Sequence, residues 1–569
     1  MSSTEAQQAN GAASDSAAAP IFTATPIASC RINGDHIVAC PTEQYEEQLQ
    51  RKLATLTTLI PAFPAKDIEV FRSPPVNYRN RANFNIWRDK RGDDGPTAMY
   101  YAMWDTKEAK AAVVVGTAGM TKKQRKQARY DQKVPQKELC EISSFPRGTT
   151  LINALMADLL TYLREQDQPA VPHAAQSLLL RHQLFEVRFV TTQTQEAIVV
   201  LIYHCPLEGS AWCAAASGLA AWLQRPASAV SQRAGALKVV GRARKQKFFV
   251  SSQGSSMEED DDKGGSAEKV TLENLQKELI TEEYRVHGQP YKNHQVEGAF
   301  SQPNAAVCQL MLAWSVECTG AVYDHNNPAE SVVRGPPDMH TPAAAVRAGE
   351  DLAELYCGGG TFTAPLARNF RSVLATELSK ASVVLAKKAF ADNGVSNVTV
   401  APVSAEDFSD MYAKFLRCKE NKTVFTGGNI GHSGSVQGIT NLGSFDNIST
   451  VFVDPPRAGC DDATCALLAR FDKICYISCN PETLARDVAK ITAIVGPGTS
   501  TATASASGTN CLYRHKVVRM AAFDQFPYTP HLEGGVMLVK QRVPDGENRE
   551  EKKEEGAEPV VGEKRPLDI

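Results

Sequence analysis

The sequence predicts an α/β protein: a Rossmann-like half over residues 296–543, preceded by an α+β region over residues 41–295. Three observations carry this. DLAELYCGGGTF, residues 351–362, gives an apolar strand, a glycine-rich turn at Gly358 to Gly360 and a helix reaching Arg368. Ser372 to Thr376 is a second strand that ends on an acid, Glu377, and Val398 to Val403 is a third. The short apolar runs Val451–Val453 and Ile474–Ile477 each end in a polar loop, as buried parallel strands do.

At 569 residues the chain is long enough for two or three cores. No apolar run approaches the roughly eighteen residues of a membrane span, so no membrane partner is expected. The segment before Arg31 has no basic residue, unlike a signal or transit peptide. The 14 cysteines are scattered and contain no CxxC pair, which fits reduced thiols inside a cell and argues against a zinc ribbon. The expectation is of a monomer without metal, in the cytoplasm first and the nucleus as the alternative. A net charge of −3 supplies no overall attraction to nucleic acid, so any RNA site needs local patches.

Residues 1–40 are poor in apolar side chains and are expected to be disordered, with folding from Pro41. Tyr45 to Leu59 spaces Leu49, Leu53 and Leu56 as an amphipathic helix. Residues 71–92 interleave Arg79, Arg81 and Arg88 with Tyr78, Phe84 and Trp87. Basic groups can hold phosphates while aromatic faces stack on bases, so Arg79, Arg81, Phe84 and Trp87 are candidate RNA contacts. The same pattern also suits an antiparallel strand pair with an aromatic core face, and the two readings are compatible.

Lys122 to Lys137 is strongly basic, and reads as an exposed loop or helix. Asn153 to Arg164 reads as a helix, and Leu184 to Val190 and Ala197 to Tyr203 as paired strands. Lys238, Arg242, Arg244, Lys245 and Lys247 form a further basic cluster, and the polar, acidic stretch Ser251 to Ala267 is expected to be a loop. FSQPN, residues 300–304, is a polar turn before a helix from Ala305 to Trp314. Asn421 to Leu442, Gly496 to Asn510 and the charged tail 544–569 read as loop or disorder.

In open parallel sheets, ligands bind beyond the carboxyl ends of the strands. Asp454, in DPPR at 454–457, and Cys479, in SCNP at 478–481, both stand at such ends. A cysteine between a strand and a helix lies beside free N–H groups that are expected to lower its pKa and favour the nucleophilic thiolate. Glu377 is placed to accept hydrogen bonds from a ribose. Strands alternating with helices, with an acid after the second strand, look like a class I methyltransferase.

PTEQYEEQL, FRSPPVNYRNRANFNIW, FSQPNAA, LYCGGGTF, VLATE, FVDPPR, YISCNPETL and FDQFPYTPHLEGGV, spread over residues 41–541, together resemble the blocks of the TrmA-type tRNA (uracil-5-)-methyltransferases, in their order. The resemblance implies S-adenosylmethionine as cofactor and tRNA as partner, with methylation of C5 of uridine 54 in the T-arm through a covalent adduct. It assigns Gln302, Tyr356, Glu377 and Asp454 to the cofactor, Cys479 as nucleophile and Glu533 as general base. Thr361 stands where those enzymes usually have Asn, and its hydroxyl can still hydrogen-bond to the cofactor. The competing readings are an rRNA uracil-C5 methyltransferase, whose usual four-cysteine cluster has no counterpart in the spacing of Cys30, Cys40 and Cys140, and a noncatalytic tRNA-folding chaperone.

Overall fold

The structure, a computed structural model, describes residues 32–89, 98–106, 137–164, 174–251, 254–258, 270–321, 323, 350–421, 447–497 and 512–543. The basic run from Lys122, except Lys137, most of the Asn421–Leu442 insertion and the tail after Val543 lie outside them. Among the described residues, no helix is long and apolar enough to cross a membrane.

The strands, in chain order, are β1 (Ile32–Asn33), β2 (Glu69–Phe71), β3 (Arg81–Asp89), β4 (Ala98–Thr106), β5 (Lys137–Ile142), β6 (Leu184–Thr191), β7 (Ala197–Tyr203), β8 (Leu237–Ala243), β9 (Gln246–Ser251) and β10 (Gly254–Glu258). Except for β2 they form one sheet, in the order β1-β5-β4-β3-β6-β7-β8-β9-β10. Its core face packs on the helices Thr150–Arg164 and Gly209–Leu223, through Phe84, Tyr101, Phe189, Leu159 and Trp212. Two expectations are corrected here. Regular structure begins before Pro41, because β1 pairs in parallel with β5. The acidic stretch is not wholly loop, because Gly254–Glu258 adds an edge strand to β9.

The hairpin β11 (Ile280–Val286) and β12 (Gln289–Gln295) leads to the second half. There β13 (Asp351–Leu355), β14 (Ser372–Thr376), β15 (Val398–Ala401), β16 (Ile448–Val453), β17 (Lys473–Ser478), β18 (Val495–Pro497), β19 (Leu512–Phe523) and β20 (Glu533–Arg542) pair in the order β15-β14-β13-β16-β17-β20-β19-β18. Strands β13 to β17 are parallel, and β20 runs antiparallel between β17 and β19. Both faces are covered, one by Phe408, Leu468 and Leu484 and the other by Trp314, Phe362 and Phe390, which is why β16 and β17 read as continuous apolar runs. The strand order reverses between β13 and β16, and this opens a crevice at their carboxyl ends. The helix expected to reach Arg368 is a single turn, Thr363–Leu366, followed by a 3-10 turn. Gly496, expected in a loop, lies in β18 paired with β19.

The helix Tyr45–Leu59, grouped by the sequence with the RNA-binding region, packs on the second sheet instead. Leu56 and Ile60 enter its core, and β2 extends its edge by pairing in parallel with β19, where Phe71 stacks on Phe523 at 4.8 Å. Truncating the fully buried Leu56 to Ala would cost about 2–5 kcal/mol.

Candidate active site

The glycine turn forms the floor of the crevice. Tyr356 (φ +62°), Gly358 (φ +55°) and Gly360 (φ +80°) all adopt left-handed backbone, so the chain reverses directly after β13. A Cβ at Gly360 would meet the Phe390 ring at 2.7 Å, whereas nothing lies within 4 Å of one at Gly358. Gly360 thus lets a helix approach, and Gly358 leaves open space. Glu377 ties this turn to the end of β14, accepting from Gly358 N at 2.9 Å and Ser379 N at 2.6 Å. Thr361 follows the turn, half-buried.

Across the crevice a polar chain leads to Asp454. Gln525 Nε2 donates to Gln302 Oε1 at 3.0 Å, and Gln302 Nε2 donates to Asp454 Oδ2 at 3.3 Å. The FSQPN turn is fixed because Asn304 caps the helix Ala305–Gly320, its Oδ1 accepting from Val307 N, while its Nδ2 donates to Ser73 Oγ.

Cys479 stands one residue beyond β17. The antiparallel register pairs Ile477 with Gly535 and Ser478 with Gly534, so its next step sets Cys479 opposite Glu533. Two glycines pack closely beside this pair: a Cβ at Gly534 would meet the end of the Leu484 side chain at 2.7 Å, and one at Gly535 would meet the Phe523 and Trp314 rings at 3.0 Å. Asn480 caps the following helix, Pro481–Ala493, and its Nδ2 donates to Arg457 O at 3.2 Å, joining the SCNP and DPPR loops. Asp487, fully buried on that helix, accepts from Cys460 N and Tyr476 Oη at 2.8 Å each. The two loops are thereby held as one unit.

The electrostatics correct one expectation. Burial pushes the Cys479 thiol above its ordinary pKa, and the Glu533 carboxylate adds to the rise, while a hydrogen bond from Arg457 opposes it. Helix N–H groups do not outweigh burial and the neighbouring carboxylates, so the resting cysteine is a thiol. Burial raises Asp454 to about 7. Glu533, only 3 % exposed and with its Oε2 lacking a hydrogen-bond partner, is pushed well up by burial and by Asp454. Below them on β13, Glu354 is 1 % exposed, its Oε2 also unpartnered, and burial raises it to about 8. A crevice with three buried acids, two of them with an oxygen that lacks a hydrogen-bond partner, suits a cationic ligand.

A family model described as tRNA (Uracil-5-)-methyltransferase matches residues 44–124, 120–258, 265–325, 340–495 and 500–541. The chain belongs to the tRNA (uracil-5-)-methyltransferase family. It is 33% identical over 509 residues to the tRNA/tmRNA (uracil-C(5))-methyltransferase of Cellvibrio japonicus, covering 89% of this chain and 98% of that protein. To the protein of the same name from Shewanella denitrificans it is 34% identical over 509 residues, covering 89% and 100%. Among solved structures, the Pyrococcus abyssi tRNA (uracil-54, C5)-methyltransferase in complex with S-adenosyl-L-homocysteine is 18% identical, covers 87% of this chain and 83% of its own, and has a TM-score of 0.45.

In this tRNA (uracil-5-)-methyltransferase the residues named for RNA contact separate. Phe84 is 1 % exposed, inside the core with Tyr101 and Phe145, so it has no face for a base and that assignment is withdrawn. Arg81 Nη1 donates to Ala299 O and Ser301 Oγ, so it holds the FSQPN turn. Arg79 is half-buried, with a buried, unpartnered Nε. Trp87 faces out, 45 % exposed. It lines a cavity of about 350 Å³ with Arg88, Trp104 and a stacked pair, Phe185 and His204, at 3.9 Å. The basic cluster on β8 and β9 is partly neutralised, since Arg242 pairs with Glu297 and Lys247 with Glu278.

Sequence reasoning missed Arg457, Gln525, Asp487 and the Trp104 face as parts of the site. The signals for Arg457, Gln525 and Trp104 were present in the DPPR and FDQF blocks and in the outward positions of β4, whereas Asp487 lies within the helix Pro481–Ala493.

Proposed function

We propose that this chain methylates C5 of uracil in tRNA, at uridine 54 of the T-arm, with S-adenosylmethionine as methyl donor and a transient covalent bond from Cys479 to C6. The observation that carries this reading is the cross-strand placement of Cys479 against Glu533, with Asp454 and Arg457 beside them. A glycine turn open at Gly358, an acid at Glu377 and unpartnered buried carboxylates fit the cofactor's ribose and its positive sulfonium.

S-adenosylmethionine supplies an electrophilic methyl group when bound. Gln302, Asp454, Tyr356, Thr361 and Glu377 would hold it. The uracil is turned out of its stack so that C6 meets the Cys479 sulfur. The thiol gives its proton to Asp454, which is poised near neutrality, leaving Glu533 free for the later step, and Arg457 stabilises the sulfur as its charge develops. Addition at C6 makes C5 nucleophilic. After C5 has gained its methyl group, Glu533 removes the C5 proton, the double bond reforms and Cys479 leaves. Trp87, Trp104, Phe185 and His204 provide aromatic faces, with Arg88 beside them, for the RNA on the outer face of the first sheet.

The test is mass spectrometry of tRNA T-arm transcript after incubation with the protein and labelled S-adenosylmethionine. The expected product is 5-methyluridine at position 54. Absence of that product, or its formation only in rRNA, sinks the reading.

A further inference from the structure

A second cavity, of about 550 Å³, lies at the seam between the two halves. The helix Tyr45–Leu59 contributes Gln48, Arg51 and Lys52 to it, the turn after β5 contributes Arg147, and the segment before Glu533 contributes Tyr528 and Thr529. Two of its cations have no carboxylate partner among the described residues. Arg51 has no side-chain partner there, and Arg147 reaches only neutral groups, the Cys40 thiol and the Ala39 carbonyl, the latter from Nε at 3.4 Å and Nη2 at 3.2 Å. Lys52, in contrast, is neutralised by Asp524 at 2.6 Å.

Tyr528 also lines the cavity. Tyr528 Oη is buried without a hydrogen-bond partner, and burial pushes its pKa to about 12, so it keeps its proton at any working pH. The segment carrying it is fixed on three sides. Lys52 Nζ donates to Phe526 O at 2.9 Å, Tyr78 Oη donates to Pro527 O at 2.9 Å, and Tyr528 N donates to Gln48 Oε1 at 3.2 Å. Two guanidinium forks on a fixed cavity are complementary to phosphate oxygens, which accept several charge-assisted hydrogen bonds at once.

We propose that this cavity is a phosphate site for the RNA substrate, in which Arg51 and Arg147 grip one backbone phosphodiester. This rests on the reading of the chain as an RNA methyltransferase. An RNA strand is favoured over a free nucleotide because the cavity joins the first sheet, through Arg147, to the segment that runs directly into Glu533. A phosphate held there fixes the strand that feeds the crevice.

The test uses the full chain and a T-arm hairpin transcript. Changing Arg51→Gln together with Arg147→Gln should weaken RNA binding by about tenfold or more. It should also reduce the slope of log Kd against log salt by about one for each phosphate that the variant fails to neutralise. S-adenosylmethionine affinity, measured by calorimetry, should not change. The pair Arg51→Lys and Arg147→Lys should recover the slope, which separates lost charge from a folding defect. Unchanged RNA affinity and slope in the Gln variant, while the unaltered protein binds and methylates the same RNA, would overturn the site and leave the proposed activity standing. Arginine-dependent binding of inorganic tripolyphosphate with RNA affinity untouched would overturn it as well, by assigning the cavity to a free polyanion. An unaltered protein that neither binds nor methylates the RNA removes the activity and the site together.

Discussion

Cys479 and Glu533 face each other at the step of the β17–β20 ladder where strand pairing ends, one half-buried and the other buried. The two side chains thus share a position set by the strand register. Neither depends on a mobile loop for its approach to the other. This geometry suits a nucleophile and a base that act in turn on adjacent carbons of one ring.

Replacing Cys479 by Ala should abolish methyl transfer while cofactor affinity stays nearly unchanged, because the glycine turn and Glu377 follow β13 and β14 rather than β17. Product analysis beside calorimetry checks both halves. Turnover equal to that of the unaltered protein removes the covalent route.

Glu377→Ala should weaken S-adenosylmethionine binding by about 1–3 kcal/mol, since it removes an acceptor and frees the N–H groups of Gly358 and Ser379. Unchanged affinity would mean that this carboxylate serves only the turn.

The buried acids make a prediction about pH. In the folded state Asp454 sits near 7 and Glu354 near 8, above their unfolded values of roughly 4. The folded protein therefore holds protons that the unfolded chain has lost. Their contribution to stability should be greatest below the unfolded values and should fall as pH rises from about 4 to about 8. Glu354→Gln, which cannot ionise, should flatten that fall. Denaturant unfolding at several pH values measures it, and an identical slope in the variant would count against Glu354 as a source.

Lys52 and Asp524 are 5 % and 0 % exposed, and Lys52 also donates to Phe526 O. Lys52→Met should leave Asp524 charged and buried, at a cost of about 3–5 kcal/mol. It should also loosen the approach to Glu533. The expected result is a lower unfolding midpoint and a lower kcat; an unchanged kcat would show that the segment is held by Tyr78 and Gln48 alone.

Much of this was legible in the sequence because local chemistry and tertiary context agreed. The helix Tyr45–Leu59 and the strands β7 and β14 have the expected limits, and DPPR and SCNP lie at strand ends as polar loops after apolar runs should. Long-range packing was not legible. Periodicity gives a helix its apolar face but not the sheet that receives it, so sequence alone groups residues 45–71 with the wrong half. Composition marks Phe84 as an aromatic beside arginines, yet its parity on β3 turns it inward with Ile86, while Trp87 turns outward. The Cys479 pKa runs against expectation because tertiary packing buries the thiol and brings Glu533 and Asp454 beside it from other strands.

The last prediction separates the base from the nucleophile. If Glu533 acts only after the methyl group has moved, its loss should permit thiolate addition and methylation but stop elimination, leaving protein joined to RNA. Glu533→Gln keeps the size of the side chain and removes its basicity. The variant should accumulate a methylated protein–RNA adduct that survives denaturing electrophoresis, and the same change combined with Cys479→Ala should give none. Asp454 shares the crevice, and if it takes over the proton the adduct should decay, faster as pH rises through about 7. Wild-type turnover by Glu533→Gln with no adduct at early times would show that Glu533 is not the base, and its buried carboxylate would then be left with an electrostatic role toward the bound cation.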